Sequence, residues 1–225
     1  MLNNDKQIHI DKILRSRRKT LSLEINEKAE LIIRAPLRLA DSEIKRFLME
    51  KSSWIIQKQK EISRKVFPGK QFSEGEEFLY LGKLYPLHYE GTYAHLFLDK
   101  MFYLSPRMSK SAEKQFTKWY RKQAEIVFYE RLEHFARLMN IEYNGLKVSS
   151  AQKRWGSCTH KNDINLSWRL ILAPVEIIDY VVVHELAHVL RKDHSKYFWA
   201  IVLRILPDYK ERRNWLKDYG HTLNI

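Results

Sequence analysis

Along residues 7–35 apolar and polar positions alternate. Leu21, Leu23 and Ile25 take turns with Ser22, Glu24 and Asn26, and Leu31, Ile32 and Ile33 follow a polar turn at 26–28. A period of two puts alternate side chains on one face, so this stretch predicts a β-hairpin with one buried side. After Pro36 the period changes. Ile44, Phe47, Leu48, Trp54, Ile55 and Ile62 fall at helical spacing, and Asp41 or Ser42 offers a cap. These predict one helix to about residue 65 with Trp54 on its buried stripe. Pro68-Gly69 and Glu74-Gly75 then punctuate the chain. Short aromatic-rich runs at 77–81, 83–89, 95–98 and 101–104 predict a small antiparallel sheet continuing the hairpin.

From about 109 to 139 a long amphipathic helix is expected, with Phe116, Trp119, Tyr120, Leu132 and Phe135 in its apolar set. Asn144-Gly145 turns the chain into two more strands, 147–153 and 163–169. In the second, Ile164, Leu166 and Trp168 share one face, and Asn165, Ser167 and Arg169 the other. Pro174 suits the first turn of a further helix running to about 191. The change from strands to helices near Pro106 divides the chain into a β-rich basic region with one helix, 1–106, and a second region, 107–225. The expected class is α+β.

Composition alters this picture in two respects. The net charge of +13 is uneven, because residues 1–70 hold 17 Lys and Arg against 9 Asp and Glu. A surplus of this kind can meet nucleic acid, and the cluster Arg15, Arg17, Arg18 and Lys19 is the candidate contact; a charged guard on a strand edge explains it equally well. Secondly, the only cysteine, Cys158, leaves no intramolecular disulfide. Residues 1–12 carry no apolar leader, and no apolar run approaches a membrane span. The cytoplasm is the expected compartment, with no membrane partner.

The chemistry concentrates in residues 180–194. His184-Glu185-Leu186-Ala187-His188 matches HExxH, and His194 follows six residues on. Residues four apart share a helix face about 6 Å apart along the axis, so His184 and His188 can address one metal ion with Glu185 beside them. Two histidines and a glutamate on so apolar a segment would be costly to bury unless something satisfied them, and one Zn²⁺ ion would. His194 is the expected third ligand. The spacing HExxH-x5-H is that of the metzincin pattern, whose turn glycine would fall at Arg191; Asp193, tolerant of left-handed backbone, stands in for it. Asp208, Glu211 and Cys158 remain rival third ligands.

Trp155-Gly156-Ser157-Cys158, Ile164-Asn165, the run from Asp179 through His188, His194-Ser195 with Phe198-Trp199, and Pro207-Asp208-Tyr209 together resemble the YgjP-like metallopeptidase family, akin to SprT-like zinc peptidases. The resemblance implies a zincin-like domain, with the HExxH helix packed on a small antiparallel sheet. It implies His184, His188 and His194 on zinc, Glu185 as general base, and strand 163–169 as an edge along which a peptide lies. Some SprT-like relatives act on proteins bound to DNA.

The expected function is zinc-dependent hydrolysis of peptide bonds in a protein or peptide substrate, including nucleic-acid-associated proteins. Asn165, Ser167 and Tyr197 are candidate substrate contacts. Tyr197, Tyr209, Arg212 and His221 are candidate oxyanion partners, and Asn165 and Asp208 candidate acceptors behind the histidines. The competing reading is a nucleic-acid-binding or scaffold protein with structural zinc, which would need a closed four-ligand site.

Overall fold

The computed structural model describes residues 8–26, 29–65 and 69–225, and the side chains within them except at 60–65. The polar turn at 26–28, the polar stretch 1–12, Ile62 and Pro68 therefore fall wholly or partly outside the described residues.

Two compact units divide between Pro68 and Gly69. In the first, β2 (Ser22–Ile25) and β3 (Leu31–Pro36) form the expected antiparallel hairpin. A third strand, β1 (Lys12–Ser16), runs parallel to β3 on its other side. Leu31, Ile33 and Ala35 alternate onto the buried face of β3 and pack with Ile44, Leu48 and Ile55. The expected single helix is two, α1 (Asp41–Glu50) and α2 (Ser52–Lys65), because Lys51 leaves helical geometry at φ −100°, ψ 8°. Leu48 and Ile55 fall four and eleven residues on from Ile44, so Ile55 still shares their face, and its amide donates to the Lys51 carbonyl at 2.9 Å. Ile55 is fully buried, whereas Trp54, expected in the core, is 46% exposed.

The second unit holds a four-stranded sheet of β4 (Glu77–Tyr80), β5 (Lys83–Tyr89), β6 (Phe97–Leu98) and β7 (Phe102–Leu104), in the order β4-β5-β7-β6. This sheet is separate from the hairpin it was expected to continue, and its β5–β7 pair is parallel. Its aromatic face meets the long helix α3 (Ala112–Met139): Phe78 stacks on Phe116 at 4.1 Å between ring centroids, and the Tyr120 hydroxyl donates to the Leu79 carbonyl at 2.6 Å. The boundary expected near Pro106 is therefore not where the chain divides. The apolar partners of Phe78 and Phe102 lie beyond it, on α3.

After α3 come β8 (Gly145–Ser149), β9 (Gly156–Cys158) and β10 (Asp163–Ser167), in the order β8-β10-β9. β10 pairs parallel with β8 and antiparallel with β9, so the sheet is mixed rather than antiparallel and β10 is its middle strand. Then follow α4 (Val175–Leu190), α5 (Lys196–Ile205) and α6 (Tyr209–Tyr219). Arg131 of α3 grips the buried Asp179 of α4 through Nε–Oδ1 (2.6 Å) and Nη2–Oδ2 (2.9 Å). No helix among the described residues is long and apolar enough to cross a membrane.

Candidate metal centre

Helix α4 is apolar nearly all round: Ile177, Ile178, Val181, Val182, Val183, Leu186 and Ala187 are all buried. Its remaining face turns His184 and His188 to the same side, their rings 4.9 Å apart. His194, in the link to α5, closes on both, with its Nε2 3.2 Å from Nε2 of His184 and 3.2 Å from Nε2 of His188. Phe198 of α5 lies behind all three rings at 4.5–4.9 Å.

Three features fit this cluster to a metal ion. A tetrahedral ion with metal–nitrogen bonds of 2.0–2.1 Å separates two ligand nitrogens by roughly 3.4 Å, close to both observed spacings. Nδ1 of His188 lies 3.0 Å from the Arg191 carbonyl, which can only accept, so Nδ1 carries the proton and Nε2 offers a bare lone pair. Burial, reinforced by the neighbouring His188 and His194, pushes the His184 pKa down to about 3, keeping that ring neutral as a ligand must be. Among the described residues these three histidines form the group that could hold an ion. Asp208 is instead paired with Arg212, and the Cys158 thiol lies 3.3 Å from the Lys192 ammonium.

Glu185 is 5% exposed, and burial pushes its pKa up to about 8, with Arg154 pulling the other way. It lines a cleft of about 190 Å³ together with His184, Tyr180, Val181, Trp155, Gly156 and Leu216. A larger hollow of about 420 Å³ around Asn140 and Tyr143 lies away from this chemistry.

The other expected site residues scatter. Ser167 is 1% exposed and its hydroxyl donates to the Ala151 carbonyl at 2.7 Å, so it is a structural residue. Asn165 sits on the middle strand, its amide 3.5 Å from the Ser157 carbonyl, and does not back a histidine. Tyr197 is exposed at the site's margin, its ring between Arg191 and Lys196. Tyr209 is buried against Trp199, and Arg212 binds Asp208 and the Glu176 carbonyl. Asp193 keeps negative φ, contrary to expectation, and accepts from the Ser195 amide instead. Strand 163–169 cannot be the peptide edge because β9 covers one side and β8 the other. In the N-terminal unit Arg15 is engaged by the carbonyls of Pro36, Leu37 and Leu39 and by Asp41, leaving Arg17, Arg18 and Lys19 of the basic cluster.

Sequence reasoning left unassigned Gly156, which makes room for Glu185, and Lys192. A glycine inside a strand is itself a sign of close approach.

A family model described as YgjP-like, metallopeptidase domain, matches residues 19–219. Among solved structures, the metallopeptidase zymogen of Pyrococcus abyssi abylysin is similar over 40% of this chain and 93% of its own, at 23% identity and a TM-score of 0.37. No curated protein matches.

Proposed function

The chain belongs to the YgjP-like metallopeptidase family, and on that premise we propose that it is a zinc peptidase whose ion is held by His184, His188 and His194, with Glu185 as general base. The observation that carries this reading is the convergence of three Nε2 atoms, two pairs of them at 3.2 Å, beside a buried carboxylate. Three ligands leave a fourth position open, which favours catalysis over a closed structural site. Zinc, when bound, supplies Lewis acidity that acidifies water and polarises a carbonyl. Glu185 takes the proton of the attacking water and returns it to the leaving amine. Its burial keeps bulk water from competing for that proton.

The peptide ledge is reassigned to β9. Ser167 N–H donates to the Trp155 carbonyl and Thr159 N–H to the Asp163 carbonyl, so 155, 157 and 159 are the residues hydrogen-bonded to β10. By the alternation of an antiparallel ladder, the main-chain groups of Gly156 and Cys158 face the open edge. An extended substrate adding there would run past Glu185 and make contacts that tolerate many side chains.

The zincin-like description of the second unit, and action on nucleic-acid-associated proteins, belong to the same proposal. The latter is supported by the uneven charge and by a hollow of about 310 Å³ lined by Ser16, Arg18, Thr20 and Arg34. Salt-dependent binding of DNA, weakened when Arg17, Arg18 and Lys19 are neutralised, is the expected result; no binding at low salt removes it.

The deciding experiment is Glu185→Gln. Zinc should remain bound while cleavage of unfolded protein disappears; retained cleavage, or a wild type that cleaves nothing with zinc bound, overturns the peptidase reading.

A further inference from the structure

The link between His188 and His194 turns without the backbone that such a corner usually uses. No residue from 191 to 195 has positive φ, and Arg191 is extended at φ −140°, ψ 109°. The Arg191 amide closes the last turn of α4 on the Ala187 carbonyl (2.9 Å), and its own carbonyl meets Nδ1 of His188. Inside the corner Asp193 accepts from the Ser195 amide at 3.2 Å, and a further anchor comes from outside it. The Lys192 ammonium reaches the β9–β10 turn, donating to the Thr159 carbonyl (2.8 Å) and Oδ1 of Asn162 (2.8 Å), with Sγ of Cys158 at 3.3 Å. An ammonium has three donors, and three acceptors surround this one.

The receiving turn is itself fastened. Asn162 has φ +64° and donates its N–H to the Thr159 carbonyl at 3.0 Å. The Thr159 hydroxyl accepts from the Asp163 amide and donates to its carboxylate, both at 3.0 Å, and Asn144 donates to the same carboxylate at 2.6 Å. A flexible lysine is thus docked on a turn built to stay still.

We propose that Lys192 is a positioning residue for the metal centre. It anchors the corner that carries His194 and the Arg191 carbonyl behind His188, in place of a turn glycine. This rests on the reading of His184, His188 and His194 as zinc ligands. It also couples the metal to the end of β9, the strand assigned above to the substrate. With its donors occupied, Lys192 is not a substrate contact, which separates it from the exposed cations around Tyr197.

The test uses the full chain with Lys192→Met, Asn162→Gly and the double variant. Glycine keeps the left-handed backbone at 162 while removing the acceptor. Zinc affinity is measured by competition with a chromophoric chelator, and the apoprotein is melted separately. Lys192→Met should weaken zinc binding about tenfold, the lower end of what outer partners of metal ligands contribute, and Asn162→Gly by less, because the Thr159 carbonyl and Cys158 sulfur still receive the ammonium. The double variant should be little weaker than Lys192→Met alone, since the Asn162 contact is already lost there. The apoprotein melting temperature should stay near wild type, and Lys192→Arg should recover part of the affinity. Unchanged zinc affinity in Lys192→Met, strictly additive losses, or a fall in apoprotein melting large enough to account for the lost zinc would each overturn the proposal. A wild type that binds zinc and cleaves no peptide would sink the peptidase reading and leave the Lys192 result standing.

Discussion

Gly156 is the empty space in which Glu185 lies. A Cβ at position 156 would stand 2.5 Å from Oε1 of Glu185, 2.7 Å from its Cγ and 2.8 Å from its Cδ, all inside any real contact. The proposed base and the proposed ledge strand are thus fitted to each other by one missing side chain.

Gly156→Ala therefore has to displace the carboxylate or the strand. A shift of about 1 Å in a catalytic group costs on the order of 100-fold in rate. Peptidase activity should fall by about that factor while zinc affinity, set by His184, His188 and His194 rather than by Glu185, changes less. Steady-state kinetics beside a zinc titration separates the two; equal losses in both would contradict this account.

Glu185 should be a burden on the metal-free fold. Its pKa rises from 4.5 to about 8 on burial. Below about pH 4.5 the group is protonated folded and unfolded, and nothing changes. Between there and about pH 8 the unfolded chain releases a proton that the fold retains, so stability falls as pH rises and levels off above. Glu185→Gln should therefore raise apoprotein stability at pH 8 by a few kcal/mol, roughly 1.4 per pKa unit, and leave it unchanged at pH 4. Denaturant titrations at the two pH values check this.

Adding zinc should raise the melting temperature of the intact chain. At a free concentration about a thousand times Kd the gain is about 4 kcal/mol, or roughly 10 °C for a unit of this size. His194→Ala should remove most of that shift while leaving apoprotein melting close to wild type, since His194 is exposed in the link. A full zinc shift in His194→Ala would remove it as a ligand.

Arg131→Met should be costly elsewhere. It strands the Asp179 carboxylate, 8% exposed, between α3 and α4. Breaking one side of a buried pair costs about 3 kcal/mol. Urea unfolding should show it, and the zinc-binding stoichiometry should not change.

The α4 helix and the pairing of His184 with His188 on one face were legible because two independent patterns coincide there: an apolar run long enough to be buried and a histidine spacing that a helix turns to one side. The hairpin was legible for the same reason, with a period of two and a polar break. What stayed hidden depends on partners far along the chain. Gly156, Ser157 and Cys158 have the composition of a loop, and they form a strand because β10 lies beside them, which moves the sheet edge from β10 to β9. Phe78 and Phe102 look like part of an N-terminal β region until Phe116 supplies their partner. Arg15 looks like a free cation until the carbonyls of the turn before α1 surround it. Trp54 and Ile55 are neighbours in sequence, and Ile55 is the one that shares a face with Ile44 and Leu48 and is buried, while Trp54 turns to the side.

The contacts of the second unit also set an order of assembly. The Leu81 and Gly82 amides donate to the carbonyls of Ile171 and Leu172, at 2.9 and 3.1 Å, so β4 and the turn after it are not complete until a segment ninety residues later arrives. On a ribosome that segment emerges immediately before α4. His184, His188 and His194 thus appear after the aromatic seam and β8–β10 are available to receive them. The candidate metal centre therefore cannot assemble before the strands and the long helix that position it have been made.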